Sequence, residues 1–193
     1  MPLTDELDLD VDGIISIVTK KLDENPNWNK NGAVVFNNPH NASGQVFAEE
    51  KLAHLIKWLL ERDIFIIDDL SYQNVAPAKK LSGVKTIQQI TLDLVKNGYV
   101  NAEKRKFVFT MHSLSKTDCF AGARLAVAHI PHPEVKEKFA AQIEKIKPNI
   151  MATLIAYLFY RNRSEYVSSF WLLRNQIFFE RMKALNDAQE NLP

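Results

Sequence analysis

Cysteine is nearly absent: Cys119 is the only one in the chain. That excludes an intramolecular disulfide and fits a reducing compartment, so a cytoplasmic setting is expected. Net charge is also missing. The formal value is +1, which leaves no electrostatic footprint for nucleic acid or an anionic membrane. No apolar run reaches the roughly 18 residues that a membrane-spanning helix needs. The opening Met1 to Asp12 is acidic rather than basic and then apolar, unlike a secretory leader. There is no internal repeat and no low-complexity tract. What is present is an ordinary globular composition, 46% hydrophobic and 24% charged over 193 residues. That suffices for one substantial core.

The organising stretch is Thr110-Met111-His112-Ser113-Leu114-Ser115-Lys116, followed by Ala121-Gly122-Ala123-Arg124. It lies between two apolar runs that read as strands, Phe107 to Thr110 and Leu125 to Ile130. A lysine amine at a strand end can form a Schiff base with a carbonyl cofactor. Hydroxyls and a guanidinium beside it can hold an anionic group such as a phosphate. The same residues also suit an ordinary basic loop with serine turn chemistry.

The rest of the chain gives this stretch a setting. Asp10 or Asp12 can cap a helix carrying Ile14, Ile15, Ile17, Val18 and Leu22, which Asn25-Pro26-Asn27 stops. Ala33 to Phe36 reads as a buried strand, followed by the polar loop Asn37 to Gly44. Ala48 to Arg62 is a helix, with Leu52, Leu55, Ile56, Leu59 and Leu60 on one face. Ile64 to Ile67 is a second strand, ended by Asp68 and Asp69. Ala76 to Gly83 reads as irregular, and Thr86 to Lys96 as a helix. The strand–helix–strand rhythm predicts a mostly parallel α/β sheet with flanking helices. Met111 to Ala123 shows no helical period and is short for a parallel crossover, so Leu125 to Ile130 is expected to run antiparallel. Pro133 to Lys147 is a further helix, and Asn149 to Leu192 is almost continuously helical, with a possible break at Asn162 to Ser164. Two parts are expected: a sheet-bearing domain over 1–148 and a long helical segment over 149–193.

In an open α/β sheet, ligands bind outside the carboxyl ends of the strands. Three polar loops leave such ends: Asn37 to Gly44, Asp68 to Tyr72, and His112 to Lys116. Their residues carry a resemblance. Asn38-Pro39-His40-Asn41-Ala42-Ser43-Gly44 resembles the Asn-Pro-x-Asn-Pro-Thr-Gly motif of the class I/II aminotransferases. Asp69-Leu70-Ser71-Tyr72 is similar to the family's Asp-x-x-Tyr. Ser113-Leu114-Ser115-Lys116 with Arg124 is similar to its Ser-x-Ser-Lys and downstream arginine. Order and rough spacing match over Ala33 to Ala128.

The resemblance implies fold type I architecture, pyridoxal 5′-phosphate (PLP) as cofactor, and amino transfer between an amino acid and a 2-oxo acid by a homodimer or higher homo-oligomer. It implies that Lys116 forms the Schiff base and moves the proton at the substrate Cα, and that Asp69 accepts a hydrogen bond from the pyridine nitrogen, with Asp68 the rival. It places Tyr72 and Asn41 on the cofactor's 3-oxygen, and Ser113 and Arg124 on the phosphate. Ser115 does the same or supports the turn. His112 is expected in a structural or outer role, and Cys119 as structural. Decarboxylation or carbon–sulfur lysis on the same fold, or PLP sensing without turnover, are the alternatives.

The chain departs from the pattern at Ala42, where the family has a proline preceded by a cis bond. A cis bond before alanine costs about 2.5–4 kcal/mol, so a trans or strained loop is expected. Ser43 keeps the threonine hydroxyl, and Ala126 replaces a frequent glycine. Ala76 to Lys106 looks longer than usual, as an insertion would. Neither the family's glycine-containing phosphate loop and ring-stacking aromatic before Ala33, nor its carboxylate-binding arginine after the long helix, is found. The expectation is therefore the middle of a larger enzyme, inactive alone in transaminase assays. A sheet short of strands exposes edges and an apolar face. Self-association is expected by light scattering, and a clean monomer at low concentration counts against it.

Overall fold

The computed structural model describes residues 2–41, 43–75, 83–161 and 164–190. Helix α1 spans Val11–Glu24. The Asp10 carboxylate caps it, accepting from the Gly13 N–H at 2.8 Å. A Cβ at position 13 would lie 2.1 Å from that carboxylate, so glycine is what lets the cap close. Strand β1 covers Ala33–Asn37, α2 Glu49–Glu61, β2 Phe65–Asp69, α3 Ile87–Lys96 and β3 Val108–Ser113. One helical turn, α4, follows at Leu114–Thr117, and β4 covers Ala126–His129. Helices α5 (Pro133–Ile146), α6 (Ile150–Arg161) and α7 (Ser164–Glu190) complete the order.

The sheet order is β1-β2-β3-β4. The first three strands are parallel and β4 is antiparallel to β3, as the short connection predicts. The strands end later than the sequence suggests. Asp68 and Asp69 lie inside β2, paired with Phe36 and Asn37, and β3 runs on to Ser113. Charged and polar residues look like strand terminators by composition, but ladder bonds to a neighbour on each side carry the strand through them. The stretch after Met111 is not wholly irregular either. It contains α4 and a 3₁₀ turn at Ala121–Ala123, both too short for a period to show.

One sheet face forms the core. Phe36, Ile66 and Val108 join Leu52, Leu55, Ile56, Leu59 and Leu60 of α2 and Ile87 and Ile90 of α3 in one buried cluster. Each buried leucine or isoleucine contributes about 1.5–3 kcal/mol. Thr86 and Gln89 bracket the start of α3 in a reciprocal capping box, 3.1 and 2.8 Å. The other face is less covered: Val35 and Met111 on it are 51% and 42% exposed, while Phe109 beside them is buried. Helices α6 and α7 likewise leave Ile150, Met151, Leu154, Leu173 and Leu185 exposed. The expected break in the long helical stretch falls at 162–163, and the Asn41–Ala42 bond and most of the 76–83 segment also lie outside the described residues. The one cis bond among the described residues is Asn38–Pro39.

Leu59 is fully buried. Leu59→Ala is expected to lose about 2–5 kcal/mol, read as a lower urea midpoint with unchanged slope.

Candidate functional site

The parallel strands bring three carboxyl ends to one edge. Asn37 pairs with Asp69, and Asp69 with Met111. The loops after β1, β2 and β3 therefore leave side by side. The antiparallel β4 begins at the same edge, where Ser113 pairs with Ala126. All seven candidate residues, Asn41, Asp69, Tyr72, Ser113, Ser115, Lys116 and Arg124, lie in or beside these loops.

Lys116 sits in α4, exposed, its backbone held by the turn. The next residue, Thr117, is fully buried. Its Oγ1 lies 3.1 Å from the Ser71 carbonyl, 3.2 Å from that of Gln73 and 3.4 Å from that of Leu70. The lysine turn is thereby fastened to the Asp69–Tyr72 loop. The Leu70 N–H donates to the Met111 carbonyl at 2.8 Å and seals the base of the junction.

Asp69 is half-buried, and its Oδ1 accepts from the Ser71 N–H at 3.0 Å and the Ser71 hydroxyl at 2.6 Å. This is an Asx turn. Its Oδ2 has no hydrogen bond among the described residues. Asp68 points to the opposite face, 2% exposed. Burial pushes its carboxyl up to about 7, helped by the Asp69 charge and opposed by the Gln88 and Ile87 backbone N–H groups. Of the two adjacent carboxylates, Asp68 thus enters the core and Asp69 faces away from it.

The other candidates vary in how they are held. Ser113 Oγ accepts from the Ser115 N–H at 3.3 Å and so caps the lysine turn. Tyr72 is half-buried, and Asn41 lies exposed on its turn. That turn is closed by the His40 N–H to the Gln45 carbonyl at 2.8 Å and by the Gly44 N–H to the His40 carbonyl at 2.9 Å. Gly44 has φ +70°, a conformation that costs glycine little. Arg124 has φ +50° and Cys119 φ +54°, both left-handed. These are uncommon backbone states for side chains other than glycine, and they bracket the return from Lys116 to β4. Lys116 and Arg124 form no ion pair among the described residues. No direct hydrogen bond among the described residues joins Lys116 to Asp69, Tyr72 or Asn41. The site is an open edge. A cavity of about 260 Å³ lined by Gln88, Arg105, Lys106 and His129 lies near the start of β3, away from it.

Further contacts to the lysine turn come from the helical segment, at residues that the sequence does not single out. Asp118 accepts from the Trp171 Nε1–H at 3.0 Å and from the Tyr160 hydroxyl, with His112 Nε2 at 3.3 Å. Burial opposes ionisation there, but these donors hold the Asp118 carboxyl below its usual range. Burial and the Asp118 partner raise the Tyr160 phenol. His112 Nε2 also lies 3.0 Å from the Tyr160 hydroxyl. The buried Arg174 donates to the carbonyls of Thr117 and Asn74, beside Asn175. No local motif marks these residues, because their partners lie up to about a hundred positions away.

The fold is shared with aminotransferases. The chain belongs to the family aminotransferase class I and II, whose model matches residues 1–158. It is 28% identical over 133 residues to the "Probable aspartate/prephenate aminotransferase" of Aquifex aeolicus (strain VF5), covering 65% of this chain and 28% of that one. A Thermus thermophilus aspartate aminotransferase double mutant superposes with a TM-score of 0.70 at 16% identity, covering 96% of this chain and 42% of that one. The histidinol-phosphate aminotransferase of Clostridium acetobutylicum gives 0.61 at 21%, covering 97% and 48%. At these identities the two structures show the fold: type I, with a mostly parallel sheet. The chain spans less than half the length of each of these three relatives. No helix among the described residues is long and apolar enough to cross a membrane.

Asp68 gives a pH prediction. The folded chain keeps a proton on Asp68 that the unfolded chain loses above 3.8, so stability falls as pH rises from about 4 to about 7. The loss is up to about 4 kcal/mol. Asp68→Asn is expected to raise the thermal midpoint at pH 8 much more than at pH 4; an equal change at both would contradict the burial of a neutral carboxyl.

Proposed function

We propose that this chain carries the cofactor-binding lysine edge of a PLP-dependent aminotransferase acting on an amino acid and a 2-oxo acid. The observation that carries it is the Thr117 junction, which holds the Lys116 turn against the Asp69–Tyr72 loop in a chain of this family. The donor set fits the cofactor. An aldehyde needs an amine, a phosphate needs cations and hydroxyls, and a protonated ring nitrogen needs a carboxylate. Lys116, Arg124 with Ser113 and Ser115, and Asp69 Oδ2 supply these from one edge, with neither cation spent on an ion pair among the described residues.

When bound, PLP supplies a carbonyl for the amino group and a ring that withdraws electrons from Cα. The Lys116 amine would anchor the group and hold or release a proton at the substrate carbon, which needs an amine of lowered pKa. Asp69 Oδ2 would accept from the ring nitrogen while its Oδ1 stays tied to Ser71. The Asx turn thus orients the carboxylate before any ligand arrives. Tyr72 and Asn41 would donate to the 3-oxygen. Arg124 and the serines would hold the phosphate, with Ser113 shared between that task and capping the turn.

Residues 1–148 then form part of the large domain, and α6 and α7 belong to a following segment bonded to it through Trp171 and Arg174. Exposed apolar faces on the sheet and on α6 and α7 support assembly with further copies. A single cysteine supports a cytoplasmic location.

The intact protein mixed with PLP is expected to show the absorbance of lysine-bound cofactor. Borohydride reduction and peptide mapping should then place the label on Lys116. Lys116→Ala should abolish both signals while leaving circular dichroism unchanged. A wild-type protein with no such band sinks the reading.

A further inference from the structure

Arg174 is a buried cation with no carboxylate in direct contact, although the Asp118 charge acts on it through space. It is 5% exposed, and among the described residues no acid lies within 4.0 Å of it. Its acceptors are dipoles: the carbonyls of Thr117 and Asn74, and Asn175 Oδ1 at 3.2 Å from Nε and 2.9 Å from Nη2. Asn175 is fully buried, and its Nδ2 donates to the same Asn74 carbonyl at 3.0 Å. Burying such a charge is costly, and an apolar residue would pack α7 as well or better. What a leucine cannot do is hold two carbonyls at the fixed spacing of a planar guanidinium fork.

The two carbonyls belong to the two loops that matter. One follows Lys116 directly, and the other lies two residues after Tyr72. The fork therefore spans the lysine turn and the tyrosine loop through their backbones. Asn175 fixes the fork's rotation by taking its Nε–H. Next to Thr117, Asp118 is gripped by Trp171 of the same helix.

We propose that Arg174 is a positioning residue: through the Thr117 and Asn74 carbonyls it sets the separation between the Lys116 amine and the Tyr72 hydroxyl. This rests on the function proposed above. It adds that the long helix, which contributes no candidate cofactor ligand, tunes the lysine's chemistry by holding the backbone of both loops.

The test uses the intact protein as wild type, Arg174→Lys and Arg174→Gln, with two readouts. The first needs no cofactor: hydrogen exchange of the amides in 70–75 and 114–119. Hydrogen bonds from a charged donor are lost in both loops, so exchange should quicken at least about tenfold in both variants, with α2 unchanged. The second is the pH titration of lysine-bound PLP absorbance. Its midpoint should shift in Arg174→Lys, which keeps the charge but not the fork. Wild-type protection in either loop, faster exchange confined to α7, an unmoved midpoint, or loss of the whole fold in both variants overturns the proposal. A wild type that takes up no PLP refutes the proposed function instead, and the exchange experiment then still decides whether Arg174 clasps the loops.

Discussion

The Thr117 hydroxyl meets three carbonyls of a loop more than forty residues earlier in the chain, and much of the edge depends on that meeting. Strand pairing brings β2 and β3 together, but pairing ends at Asp69 and Met111. Beyond that point each loop would be free to choose its own path. A hydroxyl with no access to water has to find a partner, because leaving it unmet costs about 1–3 kcal/mol. Its single proton is shared among three carbonyls of one loop, the Ser71 carbonyl nearest, and that loop is drawn around it. The lysine turn and the acidic loop are therefore one structural unit, although they read as two motifs.

Asp68 and Asp69 show how the sheet converts adjacent identical residues into opposites. Side chains alternate across a strand, so one carboxyl enters the core beneath α3 and the other faces outward. The inward one is pushed towards neutrality by burial. The outward one keeps an oxygen for a ligand. A shift of one residue in register would exchange their roles.

Much of this was legible in the sequence. The period of α2 named its buried face correctly, because a helix of more than two turns repeats its pattern often enough to be seen. The direction of β4 followed from the shortness of its connection. The three loops could be placed at one edge because parallel strands with helical crossovers leave their carboxyl ends together. Strand ends were not legible, since polar residues at Asp68 to Asp69 and Met111 to Ser113 are held by partners that composition does not reveal. Nor were Thr117, Asp118, Arg174 and Asn175, whose roles exist only through contacts made across most of the chain. A buried arginine in a helix looks like any solvated one until its neighbours are known.

Helix α7 carries apolar side chains around much of its circumference, with Leu172, Leu173, Ile177 and Phe178 all at least partly exposed. Greasy contact alone would accept that helix in several rotational settings, since a step of one residue turns it by about 100°. The adjacent pair Arg174 and Asn175 has no such tolerance, because only one setting lets both reach the Asn74 carbonyl. The pair works as a key cut into an otherwise smooth shaft. It determines which stripe of the helix turns outward, and therefore which surface α7 offers to whatever packs on it.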